Sequence, residues 1–390
     1  MFSAMKNFVN RHRRKFLIGG FVVAGGMLTL RYAQRKLIEY QESKAREFFE
    51  RTRRTQHFES TERTCNQAIM GLAPNLIEQI LKNLDADHIV AELRNKPDEK
   101  IVLWNKLKVL AIGRLCALVY ACSMLVITLR VQFNILGGYL YKDAINSDEQ
   151  VTSELQHNYV ALIQHFLSDG CDALCQLVEQ KVEQIVNSYD LSRKLTLNET
   201  EQIFCSIQMA INSDASDPST HLASYVYPSD VPASTSDALF EKMYNETIDM
   251  LESSDVSMLN ANNVSRGFSI VMDNIADFYF KPVNGTIVTE NGIKPNHITN
   301  TSTAAATTSA IESTDECATI TEASTSEPLP NINTVSIPIP KLIPVINGLA
   351  KQRFNTTNQP PGLSTSLVTL YLISEKVKIL GANTYEVFCQ

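Results

Sequence analysis

Tryptophan is nearly absent from this 390-residue chain, which contains only Trp104. The sequence also has no Cys-x-x-Cys pair, no His-Glu-x-x-His, no Gly-x-Ser-x-Gly and no phosphate-binding glycine loop. Its eight cysteines are scattered along the chain, which argues against a zinc ribbon and fits a reducing compartment. We therefore expect no enzymatic activity, no metal and no cofactor.

Four cysteines lie within apolar helical patterns and are expected to be small buried hydrophobic residues: Cys116, Cys122, Cys171 and Cys175. Cys171 and Cys175 have the i, i+4 spacing of two metal ligands on one helix face. No second pair of ligands accompanies them, so the buried interpretation is preferred.

Charge is distributed unevenly along the chain. Residues 1–54 carry 13 Lys and Arg against 4 Asp and Glu, a net +9; since the whole chain carries -7, the remainder carries -16. A basic end on an acidic body indicates contact between that end and an anionic surface, either a membrane or a nucleic acid.

An uncharged, mostly apolar run covers residues 16–30 and is bracketed by Arg11–Lys15 and Arg31. Fifteen helical residues span about 22 Å, which falls short of a hydrocarbon core of about 30 Å. Snorkelling of the flanking cations and the addition of Tyr32 and Ala33 would close the gap. The run has no polar face, which disfavours a helix lying in the membrane surface. We predict a membrane anchor over residues 16–33.

A cleaved signal peptide is the alternative for this segment. The sequence RYAQRK that follows the run is typical of a stop-transfer flank and offers no small-residue cleavage site, so a retained anchor is preferred. Five Lys or Arg residues lie close to the run on each side, so charge does not determine its orientation.

The rest of the sequence has helical periodicity, and strand-like alternation is rare. A charged helix or stalk is expected from residue 31 to about 58, followed by a new helix with Ser60 as its N-cap. The predicted segments are 61–83, 86–94, 98–142, 150–188, 197–211, 236–260, 264–279 and a C-terminal pair within 363–389. The fold class is therefore predicted to be all-α, a large bundle of long helices.

Two segments stand apart. Residues 284–335 are rich in Ser, Thr and Ala with few large apolar side chains, which predicts a disordered loop; the apolar stretch IPIPKLIPVINGLA that follows should return to the core. Residues 109–129 form a 21-residue hydrophobic run that contains only Arg114 as a charge. It is long enough to span a bilayer, but a buried core helix is preferred because amphipathic helices flank it.

The helix around Trp104 carries two apolar stripes. At 100° per residue, Val102 and Val109 share one side, while Trp104 and Leu107 lie with Lys100 on the other. Lys100, Trp104 and Leu107 have the spacing of an exposed anchor row for a partner helix, and Leu93 aligns with them if the helical phase continues. A core tryptophan is the alternative; burial of more than half of Trp104 would move the weight to Leu93 and Leu107.

Four contiguous blocks resemble the signature segments of peroxin three, the peroxisomal membrane biogenesis family: HFESTERTC (57–65), LRVQFNILGGYLY (129–141), RGFSIVMDNIADF (266–278) and KLIPVINGLA (341–350). The basic segment, the apolar run and the Trp104 helix follow the order of the family. The resemblance covers residues 1 to about 280 and the C-terminal part, and it fails over the Ser/Thr-rich insert between them.

The resemblance implies a docking receptor for the peroxin-nineteen-type chaperone, which carries newly made peroxisomal membrane proteins and docks through an amphipathic helix. The implied chaperone-binding residues are Leu93, Lys100, Trp104 and Leu107. The implied membrane-targeting residues are Arg11, Arg13, Arg14 and Lys15. The implied location is the peroxisomal membrane, with a single pass, the N-terminus in the matrix and the bulk in the cytosol.

The expected organisation is thus a targeting segment (1–15), an anchor (16–33), a charged helical stalk (34–56) and a cytosolic receptor domain (57–390). The membrane lipids and the chaperone are the expected partners, with no nucleic acid and no small-molecule substrate. The alternative function is a tether that links an organelle to the cytoskeleton or to a lipid surface, which would need an anionic-surface patch and no apolar groove.

Overall fold

The computed structural model describes residues 13–95, 99–146, 151–228, 237–280, 335–355 and 361–389. These residues confirm the all-α prediction. The α-helices are α1 (Arg13–Asn83), α2 (Ala86–Asn95), α3 (Lys100–Asn146), α4 (Ser153–Ala161), α5 (Cys171–Val186), α6 (Leu197–Asn212), α7 (Leu222–Val226), α8 (Ala238–Leu251), α9 (Ser254–Phe280), α10 (Ile339–Ala350), α11 (Leu363–Ile373) and α12 (Glu375–Phe388). Strands β1 (Lys194–Thr196) and β2 (Ser336–Pro338) pair antiparallel, with Leu195 opposite Ile337.

Helix α3 is the centre of the bundle. Every residue from Leu107 to Gln132 is buried, and helices α1, α5, α9, α10, α11 and α12 all pack against α3. Among the described residues, Lys100–Ile145 is the helix long and apolar enough to cross a membrane, but its apolar window is completely covered by protein. The core interpretation of residues 109–129 is therefore confirmed. Cys116, Cys122, Cys171 and Cys175 are buried with it, as predicted.

Arg114 lies on α3, is fully buried and closes the C-terminal end of α1. Its Nε donates to the Leu84 carbonyl at 2.7 Å, and its Nη2 donates to the Leu81 carbonyl at 2.9 Å. Nη1 donates to Asn347 of α10 at 2.8 Å, and Asp87 of α2 lies 3.4 Å from Nη2. A cation at a helix C-terminus compensates the negative end of the helix dipole, so this charge is compatible with the core.

Arg130 joins α3 to the middle of α1 in a second buried charge network. Its guanidinium pairs with Glu62 and donates to Asn66 Oδ1 at 2.8 Å. Because the guanidinium is shielded from water, loss of its carboxylate partner would leave a buried charge uncompensated. The pairing therefore fixes the position of α1 along α3.

Helix α1 is one continuous helix, and the predicted break at Ser60 is wrong. The Ser60 carbonyl accepts a hydrogen bond from the Thr64 hydroxyl at 3.0 Å, as expected inside a helix. Nearby, Nδ1 of His57 lies 2.9 Å from the Tyr385 hydroxyl of α12, so His57 contributes to packing against the body rather than to a helix start. The stalk and the first helix of the body thus form one rod. Pro74 lies inside it without ending it.

Two other predicted boundaries are also wrong. The segment 150–188 is not one helix, because a 3-10 turn (Leu162–Gln164) and a π turn (Phe166–Gly170) separate α4 from α5. There Gly170 lets the Tyr225 carbonyl approach its Cα closely. The second helix break, predicted between residues 260 and 264, lies instead at residues 252–253, between α8 and α9. There the Ser253 hydroxyl accepts a hydrogen bond from the Val256 N–H at 3.4 Å.

The C-terminal part matches its prediction. Helix α10 returns to the core through six buried side chains, namely Ile339, Leu342, Ile343, Ile346, Leu349 and Ala350. The pair α11 and α12 occupies the range predicted at 363–389. The Ser/Thr-rich insert predicted at 284–335 lies outside the described residues apart from Val335.

Glycines of α3 allow the bundle to close on its last helix. A Cβ at Gly138 would lie 2.6 Å from Phe388 Cβ and 2.8 Å from the Phe388 carbonyl carbon. On the opposing helix, a Cβ at Gly381 would lie 2.7 Å from Cδ of the buried Arg130. Helices α3 and α12 therefore pack more closely than residues with a Cβ would permit.

We predict that Gly138→Ala destabilises the fold by about 1–3 kcal/mol, because the new methyl group overlaps the backbone of α12. Thermal unfolding followed by circular dichroism measures the loss. Gly71→Ala is the matched control, since a Cβ at Gly71 in α1 has nothing within 4 Å. Alanine is favoured over glycine in a helix interior, so this variant should melt at the same temperature or higher. Equal effects of the two substitutions would contradict the close-packing account.

We also predict a pH dependence at the contact between α1 and α12. Burial and the neighbouring Arg53 lower the pKa of His57 below its usual 6.5. The unfolded chain therefore binds a proton more readily, and this contribution to stability is present above pH 6.5 and decreases as the pH falls below that value. The melting temperature should fall more between pH 7.5 and pH 5.5 in the wild type than in His57→Gln. An equal fall in both proteins would show that His57 does not contribute.

Candidate docking surface

The surface around Trp104 is formed by the end of α2 and the first turns of α3. Helix α2 packs against α3 through buried Ala86 and Ile89. At the start of α3, the Leu103 N–H donates to the Glu99 carbonyl at 3.1 Å. Pro97 and Asp98, predicted to open this helix, lie outside the described residues.

The predicted anchor residues differ in their exposure. Lys100 is exposed, whereas Leu93 and Trp104 are partly buried and pack against the hydrophobic core. Leu107 is only 3% exposed and belongs to the core itself. Trp104 thus keeps a smaller part of its surface open to a partner.

The expectation that Leu107 forms part of an exposed row is wrong. The bundle covers α3 on all sides from this residue to Gln132, so an exposed row that starts at Lys100 cannot extend beyond the first two turns. More than half of Trp104 is buried. Under the expectation stated above, Leu93 and Leu107 should then be the main contacts with a partner. Of these two, only Leu93 retains exposed surface.

Two exposed apolar residues in the first turn of α3 were not among the predicted anchor residues. Ile101 is 73% exposed and Val102 is 67% exposed. The helical projection placed Val102 on the opposite stripe and did not include Ile101. The signal was present, since a helix with two apolar stripes exposes both of them where it emerges from its bundle. We name the surface of Leu93, Lys100, Ile101 and Trp104 the α3 entry surface; Val102 is exposed on the opposite side of the helix.

Lys108 marks the inner limit of the α3 entry surface. It is 2% exposed, and its Nζ donates to the carbonyls of Val186 at 2.9 Å and Tyr189 at 2.7 Å. These carbonyls lie at the C-terminal end of α5 and just beyond it, where a cation is favourable. Burial lowers the pKa of Lys108. This lysine is therefore committed to the fold and is not accessible to a partner.

The predicted targeting residues lie at the other end of the chain. Arg13, Arg14 and Lys15 fall in the first turn of α1, while Arg11 lies outside the described residues. Further along α1, Met27, Leu28 and Leu30 are 63–68% exposed and lie on different faces of the helix. Apolar side chains exposed on several faces are typical of a helix segment that contacts lipid.

Within the described parts of the chain, no group of three His, Cys, Asp or Glu side chains could hold a metal ion. A cavity between α1 and α12 is lined by Arg51, Arg54, Phe58 and Tyr385. Arg54 is already paired with Glu386 at 2.9 Å, and Arg51 with Glu47 at 2.6 Å. The α3 entry surface therefore remains the candidate for partner binding.

The burial pattern separates folding residues from binding residues. We predict that Leu107→Ala lowers the stability by about 2–5 kcal/mol, because a buried leucine leaves a cavity. Ile101→Ala should change it by less than about 0.5 kcal/mol, since its side chain is largely in water. Urea denaturation of both variants measures the difference. Similar losses in the two variants would mean that Ile101 is covered by the fold.

Comparison with known proteins identifies the family. A family model described as Peroxin-3 matches residues 7–101, 96–145 and 140–337, and the last range extends through the Ser/Thr-rich insert where the resemblance was expected to fail. The chain is 32% identical to peroxisomal biogenesis factor 3 of Rattus norvegicus over 407 residues and 32% identical to that of Homo sapiens over 410. Each alignment covers 100% of this chain and 98% of the relative.

A plant relative is more distant. Peroxisome biogenesis protein 3-1 of Arabidopsis thaliana is 24% identical over 278 residues, which cover 63% of this chain and 76% of that protein. The family model matches well over half of the sequence, and the two mammalian relatives align over its whole length. The chain therefore belongs to the Peroxin-3 family of peroxisomal biogenesis factors.

Proposed function

We propose that this protein is a docking receptor, anchored in the peroxisomal membrane, for a peroxin-nineteen-type chaperone that delivers membrane proteins. The observation that carries the proposal is the α3 entry surface. It combines the highly exposed Ile101, an exposed lysine and a partly exposed tryptophan at one end of a rigid bundle. Such a surface suits the apolar face of an amphipathic helix.

The mechanism is reversible binding without chemistry. Ile101 and the open part of Trp104 would contact the apolar side chains of the incoming helix, and Lys100 would pair with an acidic residue on it. Leu93 would extend the contact along α2. Leu107 would act indirectly, by holding the first turns of α3 in place from beneath. The rigid core means that docking needs little rearrangement of the receptor.

The proposed topology follows from the two long helices. Since α3 is enclosed by protein, the single pass is assigned to residues 16–33 of α1. Residues 1–15 would lie in the matrix, and the body from residue 57 would lie in the cytosol. Arg11, Arg13, Arg14 and Lys15 would serve as the basic targeting segment beside the apolar run. A polybasic segment adds attraction to anionic lipids of about 1 kcal/mol per cation.

We predict that Trp104→Ala weakens docking by a factor of tens to hundreds, because an aromatic anchor at an interface contributes about 2–4 kcal/mol. Lys100→Glu should weaken docking with no loss of stability, because Lys100 is exposed. Docking is measured by titrating a dye-labelled synthetic peptide of the chaperone's N-terminal amphipathic helix with the full chain in detergent and following the fluorescence of the peptide. Circular dichroism of each variant checks that it is folded.

The matched control is Met258→Ala, since Met258 is an apolar residue of α9 with 65% exposure. It should bind the peptide like the wild type. If Trp104→Ala melted far earlier than the wild type, Trp104 would be a core residue and its proposed role would fail. If, in addition, Lys100→Glu bound the peptide as tightly as the wild type, docking at this surface would be refuted. Binding to anionic vesicles by the soluble body in place of the peptide would favour the tether.

A further inference from the structure

The stalk part of α1 carries an apolar stripe with no partner in the described structure. Leu37, Ile38, Phe48 and Phe49 are 58%, 53%, 66% and 70% exposed. At 100° per residue they fall within an arc of about 120°, and the two doublets are three turns apart. The residues along the middle of this arc are uncharged: Gln34, Gln41, Ala45 and Thr52. We name this face, from Gln34 to Thr52, the stalk stripe.

The stalk stripe points away from the body of the protein. The side chains of α1 that contact the body from below are Arg53, Arg54, His57 and Phe58, which meet the Tyr141 ring, Glu386 and Tyr385. Their mean direction around the helix is about 170° from the centre of the stripe. Contact of the body with α1 therefore leaves the stripe uncovered and gives a partner free approach.

The charges of the stalk lie outside the stripe, and five of the nine between Gln34 and Thr52 are paired within the helix. Lys36 pairs with Glu39 at 2.8 Å, and Glu47 pairs with Lys44 at 2.9 Å and Arg51 at 2.6 Å. The stripe therefore presents four large apolar side chains around an uncharged centre, with the charges at its border, which is compatible with a helix–helix interface.

We propose that the stalk stripe pairs with the stalk stripe of a second copy of this chain, as a short parallel two-helix contact above the membrane. The inference rests on the proposed anchor at 16–33, because two copies anchored in one membrane have parallel stalks at equal height. No proline interrupts α1 before Pro74, so the stalk continues the direction of the anchor and cannot lie flat on the bilayer.

The heptad pattern supports this parallel arrangement. The central positions follow the 4–3 spacing of a two-helix contact: Gln34, Ile38, Gln41, Ala45, Phe48 and Thr52. In a parallel pair the flanking residues then meet as Leu37 with Glu42, Lys44 with Phe49, and Arg51 with Gln56 of the second copy. None of these pairs brings like charges together, and Lys44 would lie near an aromatic ring.

The size of the stripe indicates a contact that depends on the membrane. Four large side chains with partial burial of their neighbours would cover on the order of 500 Å² per copy, less than the roughly 800 Å² of a standard interface. Anchoring in one membrane raises the effective concentration of the two stalks to the millimolar range, which compensates for a small interface. The pair is therefore expected in vesicles and should dissociate on dilution into detergent.

The test is disulfide cross-linking of the full chain in phosphatidylcholine vesicles. Cys205 and Cys317 are first replaced by serine, because Cys205 is exposed and Cys317 lies outside the described residues. Ala45→Cys places a thiol at the centre of the stripe, and Glu39→Cys places one on the opposite side of the same helix as the control. We expect Ala45→Cys to give at least five times more covalent dimer than Glu39→Cys upon mild oxidation.

A second pair of substitutions tests the contact itself. Phe48→Asp added to Ala45→Cys should abolish the dimer, whereas Tyr40→Asp should not, because Tyr40 is 62% exposed but lies off the stripe. Equal cross-linking at positions 39 and 45, or none at 45 in vesicle-bound protein, would overturn the proposal. Peptide docking at the α3 entry surface should be unchanged in all these variants. A failure of the proposed docking would therefore be observed separately from a failure of the stalk pairing. A chain that does not float with the vesicles would overturn both the anchor and the stalk pairing.

Discussion

Helix α3 can remain inside the protein only because each cation that it carries into the core finds acceptors on a neighbouring helix. Lys108 donates to carbonyls at the end of α5, Arg114 donates to carbonyls at the end of α1, and Arg130 pairs with Glu62. A buried charge without partners would cost several kcal/mol, so these contacts determine where the surrounding helices end and in which register they pack. The same contacts explain why a helix apolar enough for a bilayer is surrounded by protein.

This arrangement restricts partner binding to the places where long helices leave the bundle. From Leu107 to Gln132 no face of α3 is available, so its highly exposed apolar side chains lie near its two ends, Ile101 and Val102 at the start and Ile145 in the last turn. Helix α1 also leaves the bundle, at its N-terminal end. There its stalk extends beyond the body and exposes Phe48 and Phe49. Both exposed surfaces are therefore ends of helices whose middle parts form the core.

The fold could be predicted from the sequence because helical periodicity is a local signal that tertiary contacts reinforce. Helix ends were harder, since Ser60 has the composition of an N-cap, yet nothing near it breaks the helix. The site was predicted only in part: the spacing of Lys100, Trp104 and Leu107 identifies a helix face but does not show how far the bundle covers it. Exposure of Ile101 and burial of Leu107 depend on how the other helices pack around the start of α3. Helices α5 and α10, which lie beside Lys108 and Ile112, are distant in sequence.

The length of α3 relates the two surfaces. Lys100 and Tyr141 lie 41 residues apart on one helix, and at 1.5 Å per residue they are separated by about 60 Å. Tyr141 contacts Arg53 at the top of the stalk, whereas Lys100 belongs to the α3 entry surface. Since a continuous buried helix is rigid, a partner at the α3 entry surface would remain far from the stalk stripe. Docking and stalk pairing would then proceed independently, and a pair of receptors would offer two separate docking surfaces to arriving chaperones.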